Sequence, residues 1–175
     1  TDPEAIFLDE PTSALDMSIR GQILELLLDL QQQSGLALVL VTHDLRVVKA
    51  FSAEVLVMYL GQVVERGPAD AILANPLHPY TRGLVSSLDV RADRQRVRVR
   101  GEIAQLPEGY EGCRLYPRCP YRREACRLPQ RLEPKRGSQS VRCWRALDID
   151  GEPPPERPAA PADLDAPTPT QEVSR

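Results

Sequence analysis

Two carboxylates stand side by side at Asp9-Glu10, directly after the apolar run Ala5-Ile6-Phe7-Leu8. A third, Asp16, closes the tight connection Pro11-Thr12-Ser13-Ala14-Leu15 that follows, and an imidazole, His43, sits in Thr42-His43-Asp44 after a second apolar run, Leu36–Val41. An Asp at a strand end can hold Mg²⁺ through water, and a neighbouring polar side chain can orient an attacking water, as phosphoryl transfer requires. Further along, Cys113, Cys119, Cys126 and Cys143 are spaced C-x5-C-x6-C-x16-C. Four thiolates are the full ligand set of a [4Fe–4S] cluster. The paired C-x2-C knuckles usual in zinc ribbons are missing, although four thiolates also suit zinc.

The elements around these residues explain how they would meet. Both apolar runs read as strands buried on both faces. Between them Ile19, Ile23, Leu24, Leu27, Leu28 and Leu30 recur at helical spacing over Ser18–Gln33, with Gly35 placed as a C-terminal cap. Strand, helix, strand predicts a parallel βαβ unit with a right-handed crossover. Ligands bind beyond the carboxyl ends of such strands, so Asp9, Glu10 and His43 converge on one sheet edge. Adjacent strand residues point to opposite sides, so Asp9 and Glu10 are expected to do different jobs.

The nine-residue run Leu8–Asp16, followed by Thr42-His43-Asp44 one strand later, resembles the second half of an ABC-type nucleotide-binding domain. The resemblance implies an α/β fold, the C-terminal half of a P-loop NTPase domain with a parallel sheet. It implies that Asp9 is the Walker B aspartate holding Mg²⁺ through water, that Glu10 polarises the water attacking ATP, and that His43 is the switch histidine on the γ-phosphate. Asp16, in the D-loop, would touch the partner domain of a head-to-tail dimer. The sequence contains no Gly-x-x-x-x-Gly-Lys-Ser/Thr loop and no Leu-Ser-Gly-Gly-Gln-type signature. Both lie upstream of this strand in the family, so the chain is expected to be a C-terminal fragment with little ATPase activity of its own.

After a short helix near Leu45–Ala50, Glu54–Tyr59 and Gln62–Glu65 flank Leu60-Gly61 and predict a hairpin at a sheet edge. Ala69–Ala74 and Tyr80–Leu88 read as helices, and Val97, Val99 and Ile103 suggest short strands. The segment Asn75-Pro76-Leu77-His78-Pro79-Tyr80-Thr81-Arg82-Gly83-Leu84 has no catalytic logic of its own and predicts a rigid connector. It resembles a segment typical of the oligopeptide/dipeptide/nickel importer branch of ABC ATPases, as does Val63–Pro68. Pro117-Arg118-Cys119-Pro120 resembles that branch's C-terminal extension, and the resemblance implies a [4Fe–4S] cluster on Cys113, Cys119, Cys126 and Cys143, in preference to zinc.

Composition divides the chain in the same places. The 175 residues carry a net charge of −3, but residues 1–90 carry −7, residues 91–145 carry +9 and residues 146–175 carry −5. Blocks of this kind mark modules. The expected domains are 1–88, the half ATPase domain; 89–147, the four-Cys extension; and 148–175, a Pro/Ala-rich tail that cannot bury enough apolar surface to fold. Arg114, Arg118, Arg122, Arg123 and Arg127 are expected to offset the charge of a thiolate-bound cluster. No run of eighteen apolar residues is long enough to span a membrane. The resemblance implies a peripheral subunit on the cytoplasmic face of the inner membrane. Its partners would be a second ABC ATPase subunit and membrane permease subunits, with a solute-binding protein acting indirectly. A soluble ABC ATPase with a nucleic-acid-binding Arg–Cys module, and an inactive remnant, are the alternatives. The scattered Tyr110, Tyr116, Tyr121 and Trp144 lack the clustering of a stacking surface, so no nucleic-acid partner is expected.

Overall fold

The structure, a computed structural model, describes residues 3–88, 97, 99 and 101–149. It divides into two compact units, Thr1–Ser52 and Ala53–Arg175.

The first unit is the expected βαβ. Strand β1 (Ala5–Asp9), helix α1 (Met17–Ser34), strand β2 (Ala37–Val41) and helix α2 (Leu45–Phe51) follow in order. The strands pair in parallel, from Ala5 opposite Ala37 to Asp9 opposite Val41. Gly35 ends α1 in the left-handed region (φ 67°), its N–H bonded to the Gln31 carbonyl at 2.9 Å. The expectation of strands buried on both faces does not hold. Burial alternates along both strands. Ile6, Leu8, Leu38 and Leu40 are half-buried, whereas the other face is bare, with Phe7 77% exposed and Val39 and Val41 also exposed. Among the described residues of this unit nothing covers that face.

The second unit is antiparallel. Strands β3 (Glu54–Tyr59) and β4 (Gln62–Pro68) form the expected hairpin, turning through Leu60 and Gly61, both at positive φ. The hairpin does lie at a sheet edge, with β3 outermost. It heads a separate four-stranded sheet in the order β3-β4-β6-β5, whose other strands, β5 (Glu133–Arg136) and β6 (Gln139–Val141), come from the cysteine region. Helices α3 (Ala69–Ala74) and α4 (Pro79–Ser86) follow the hairpin.

One core joins Val57, Tyr59, Val64 and Ile72 of the hairpin and α3 to Leu115, Tyr116, Tyr121 and Cys113, Cys119 and Cys126. Val97 and Val99 are partly buried against it rather than paired in a strand, and Ile103 is exposed coil. The tail expected over 148–175 lies, from residue 150 onward, outside the described residues.

Candidate functional site

At the end of β1 the chain leaves the sheet through Glu10, whose N–H still bonds the Val41 carbonyl at 2.9 Å. Glu10 sits at φ 47°, a left-handed conformation that a non-glycine residue adopts at a cost. The turn that demands it is tight: Ser13 donates both its N–H and its hydroxyl to the Glu10 carbonyl, at 3.2 and 3.0 Å. Arg20, on α1, then clamps the connection, its guanidinium donating to the carbonyls of Leu15 (2.8 Å) and Ser13 (3.0 Å).

Across the strand ends, His43 Nδ1 lies 2.7 Å from Glu10 Oε1. A carboxylate only accepts, so the shared proton belongs to Nδ1. Both side chains are open to solvent, 80% for His43 and 36% for Glu10. An exposed pair of this kind is worth about 0.2–1 kcal/mol, weak enough for a phosphate or water to replace either partner. Asp44 caps α2, accepting from the Arg46 N–H at 2.9 Å and from its guanidinium at 3.1 and 3.2 Å. The Arg46 guanidinium holds the Asp44 carboxyl below its ordinary value. The sequence therefore brings Glu10 and His43 into contact. Asp9 is exposed on the bare face, opposite Val41, and Asp16 is exposed with no capping bond from its side chain.

In the second unit all four cysteines are free thiols lining one cavity, with His78, Pro79, Leu115, Tyr116, Tyr121, Gln130 and Arg145. The Cys113 N–H bonds the Cys126 carbonyl at 2.9 Å, tying the first and third cysteines together. Burial, reinforced by the other cysteines, pushes the Cys113 thiol up to about 12 and Cys119 higher still; burial pushes Cys143 to about 11. Thiols so desolvated ionise only if a cation takes the proton's place.

Among the described residues no group of three or more His, Cys, Asp or Glu is placed to hold a metal ion. The arginines expected to balance a thiolate-bound cluster have other work. Arg114 donates to the Leu60 carbonyl, Arg118 to the Tyr59 hydroxyl, Arg122 to the Pro117 carbonyl, and Arg127 pairs with Glu124. Arg145, which sequence reasoning did not single out, is the arginine lining the cavity.

The Asn75–Leu84 segment forms one wall of that cavity through His78 and Pro79. What fixes it is Glu65, fully buried on β4. Its carboxylate accepts the Leu77 N–H at 2.8 Å and the His78 N–H at 2.9 Å. Burial raises the Glu65 carboxyl above its ordinary value. Gln139 of β6 holds the Asn75 carbonyl (3.1 Å), and Arg82 holds the carbonyls of Pro76 (3.0 Å) and Ile149 (2.7 Å). Neither Glu65 nor Arg20 was recognisable as structural from spacing alone.

This same stretch carries the family signal. Residues 64–126 match the family described as the oligopeptide/dipeptide transporter, C-terminal region. Over this stretch the chain is similar to the C-terminal region of that transporter family. It is 48% identical over 128 residues to the di/tripeptide transport ATP-binding protein DppF of Pseudomonas aeruginosa, covering 71% of this chain and 40% of that protein. It is 43% identical over 148 residues to the probable D,D-dipeptide transport ATP-binding protein DdpF of Escherichia coli, covering 83% and 48%. Against the dipeptide transport ATP-binding protein DppF of Escherichia coli it is 43% identical over 155 residues, covering 87% and 46%. The chain thus spans about half the length of the curated relatives it matches. These relatives are named for transport, and Tyr116 and Tyr121 are buried in the core, so the nucleic-acid alternative gains no support. No helix among the described residues is long and apolar enough to cross a membrane.

Proposed function

We propose that this chain is the C-terminal part of an ATP-hydrolysing subunit that energises uptake of peptides or related solutes through an ABC importer. The observation that carries the reading is the Glu10–His43 contact of 2.7 Å at the carboxyl ends of two parallel strands. Residues 1–88 contribute the second half of the ATPase domain and residues 89–147 the family's extension.

In this reading Glu10 holds and polarises the water that attacks the γ-phosphate, using the carboxylate oxygen that His43 leaves free. His43 carries its Nδ1 proton between Glu10 and a phosphate oxygen, so arrival of nucleotide exchanges one partner for the other. Mg²⁺ neutralises charge on the phosphates when bound, and Asp9 would hold it through water. Asp16, exposed and not used as a cap, reaches toward a second ATP-binding domain. The permease subunits, and through them a solute-binding protein, complete the assembly at the cytoplasmic membrane face.

The cysteine cavity is read as the site of a [4Fe–4S] cluster held by Cys113, Cys119, Cys126 and Cys143, which would supply a rigid, charged cross-link to a segment with little regular structure. The wall from His78 to Pro79 excludes water from it.

Uptake of a labelled dipeptide by cells carrying the full-length subunit and its permease tests the transport reading. Glu10→Gln is expected to abolish uptake while the protein accumulates normally; wild-type uptake would overturn it. Iron and sulfide analysis of Cys113→Ser tests the cluster, and unchanged content would remove Cys113 from the ligand set.

A further inference from the structure

Helix α1 begins directly after Asp16, yet the Asp16 carboxylate makes no capping bond. An Asp in this position ordinarily accepts a free N–H of the first turn. Arg20, one turn into the helix, gathers the connection instead. Its backbone N–H donates to the Asp16 carbonyl at 2.9 Å, the ordinary opening bond of a helix. Its guanidinium makes two bonds that belong to no helix pattern: Nε donates to the Leu15 carbonyl at 2.8 Å and Nη2 to the Ser13 carbonyl at 3.0 Å.

Ser13 is in turn the residue that fixes Glu10. Its N–H and its hydroxyl both donate to the Glu10 carbonyl, at 3.2 and 3.0 Å, and Glu10 stands at φ 47°. A left-handed conformation at a non-glycine residue persists only where its surroundings over-determine it. Arg20 supplies part of that determination, because from α1 through Ser13 to Glu10 every link is a hydrogen bond. The same guanidinium acts on the second strand end. The Asp44 carboxyl is held below its ordinary value first by its hydrogen bond from the Arg46 side chain, and the charge of Arg20 adds to that in the same direction. Arg20 thus bears on both connections that leave the sheet edge, the one carrying Glu10 and the one carrying His43.

We propose that Arg20 is a positioning residue for ATP hydrolysis: its guanidinium, forked onto the Ser13 and Leu15 carbonyls, sets where Glu10 presents its carboxylate and releases Asp16 from capping α1. The proposal rests on the reading of Glu10 as the group that orients the attacking water. Arg20 touches neither water nor nucleotide in this role. It acts through the backbone of Ser13 and Leu15, so its loss should slow the chemical step without weakening nucleotide binding. A planar fork reaches two carbonyls at once, which a lysine ammonium, a compact point charge on a flexible stem, does not reproduce. A misplacement of about 1 Å in a reacting group can cost about 100-fold in rate, which sets the scale of the effect.

The test compares ATP turnover and ATP affinity in the full-length subunit for wild type, Glu10→Gln, Arg20→Gln and Arg20→Lys. Arg20→Gln is expected to lower kcat about 10- to 100-fold while ATP affinity, which requires a folded site, stays within about threefold. Arg20→Lys, able to hold one carbonyl but not both, should fall between Arg20→Gln and wild type. Arg20→Gln with kcat within about twofold of wild type, or with a raised KM and an unchanged kcat, would overturn the role of Arg20 while a slow Glu10→Gln leaves the reading of Glu10 standing. Arg20→Lys at the wild-type rate would show that one charge suffices and overturn the two-carbonyl fork. Wild-type turnover in Glu10→Gln would overturn the water-orienting reading, and the proposal with it. Hydrogen exchange reads the same link without turnover. The Ser13 and Leu15 N–H groups close the turn onto the Glu10 and Thr12 carbonyls, each at 3.2 Å. In Arg20→Gln those two amides are expected to exchange about tenfold faster, with the Leu77 and His78 amides of the second unit unchanged. Equal exchange at Ser13 and Leu15 in wild type and variant would overturn the proposal whatever the rates do.

Discussion

Replacing Glu65 by Ala removes the one side chain that satisfies two buried N–H groups, those of Leu77 and His78. Each orphaned donor costs about 1–3 kcal/mol. Part of that is recovered, because the carboxylate itself is fully buried and desolvation raises its pKa. A net loss of about 3 kcal/mol is the expectation for breaking a buried charged network of this kind. At about 4–8 °C per kcal/mol for a domain this size, the second unit should melt roughly 12–24 °C lower. The amides of Leu77 and His78 should exchange with solvent about 100-fold faster, since each 1.4 kcal/mol is tenfold. The pH dependence has a definite sign. A carboxyl whose folded pKa lies above its unfolded one binds more protons when folded, so stability falls as pH rises from about 4.5 through the raised value. Glu65→Gln, which cannot titrate, should flatten that fall. Calorimetry with hydrogen exchange reads all three effects. A Glu65→Ala variant melting within about 2 °C of wild type, with the Leu77 and His78 amides still protected, would refute the assignment of Glu65 as the brace of this segment.

Three further outcomes follow from local geometry. Gly112→Ala would set a Cβ 2.5 Å from the Arg127 carbonyl oxygen and 2.9 Å from its carbon; backbone cannot step aside, so a loss at or above the usual overpacking cost of about 1–3 kcal/mol, together with lower iron content, is expected by calorimetry and metal analysis. Gly21→Ala, inside α1 with nothing within 4 Å of the added carbon, should instead stabilise the helix by about 0.5–1 kcal/mol in denaturant unfolding. Asp44→Ala removes the α2 cap and should cost about 0.5–2 kcal/mol at neutral pH. Because the Asp44 pKa is lowered by folding, that difference is present above about 3.8 and shrinks as pH falls through the depressed value, which acid titration of both proteins would show.

The parallel βαβ was legible because its apolar runs, helical spacing and Gly35 cap all agree. The same residues gave the Glu10–His43 edge, since parallel strands bring their carboxyl ends together. Burial of both strand faces was misread from the apolar content of Phe7, Val39 and Val41, because composition says what a face could bury and not what covers it. Strands β5 and β6 were invisible: Glu133-Pro134-Lys135-Arg136 has no apolar alternation and pairs only with β6, which in turn lies against β4 with Val141 opposite Glu65. The hairpin was legible as a sheet edge, but the strands that extend its sheet were not. Glu65 stood in the sequence only as the last residue of the Gln62–Glu65 segment. Its partners are backbone groups 12 and 13 residues away, which no side-chain pattern announces. The cysteines were identified as a set, but their shared cavity, and His78 in its wall, needed the fold.

In the proposed function Glu10 activates water for ATP hydrolysis. Its most direct test is ATP turnover by the full-length subunit, wild type against Glu10→Gln, with nucleotide affinity measured alongside. ATP binding is expected within about twofold of wild type and turnover at least 100-fold lower, the scale of losing a general base. Turnover at the wild-type rate with Gln at position 10 would contradict it.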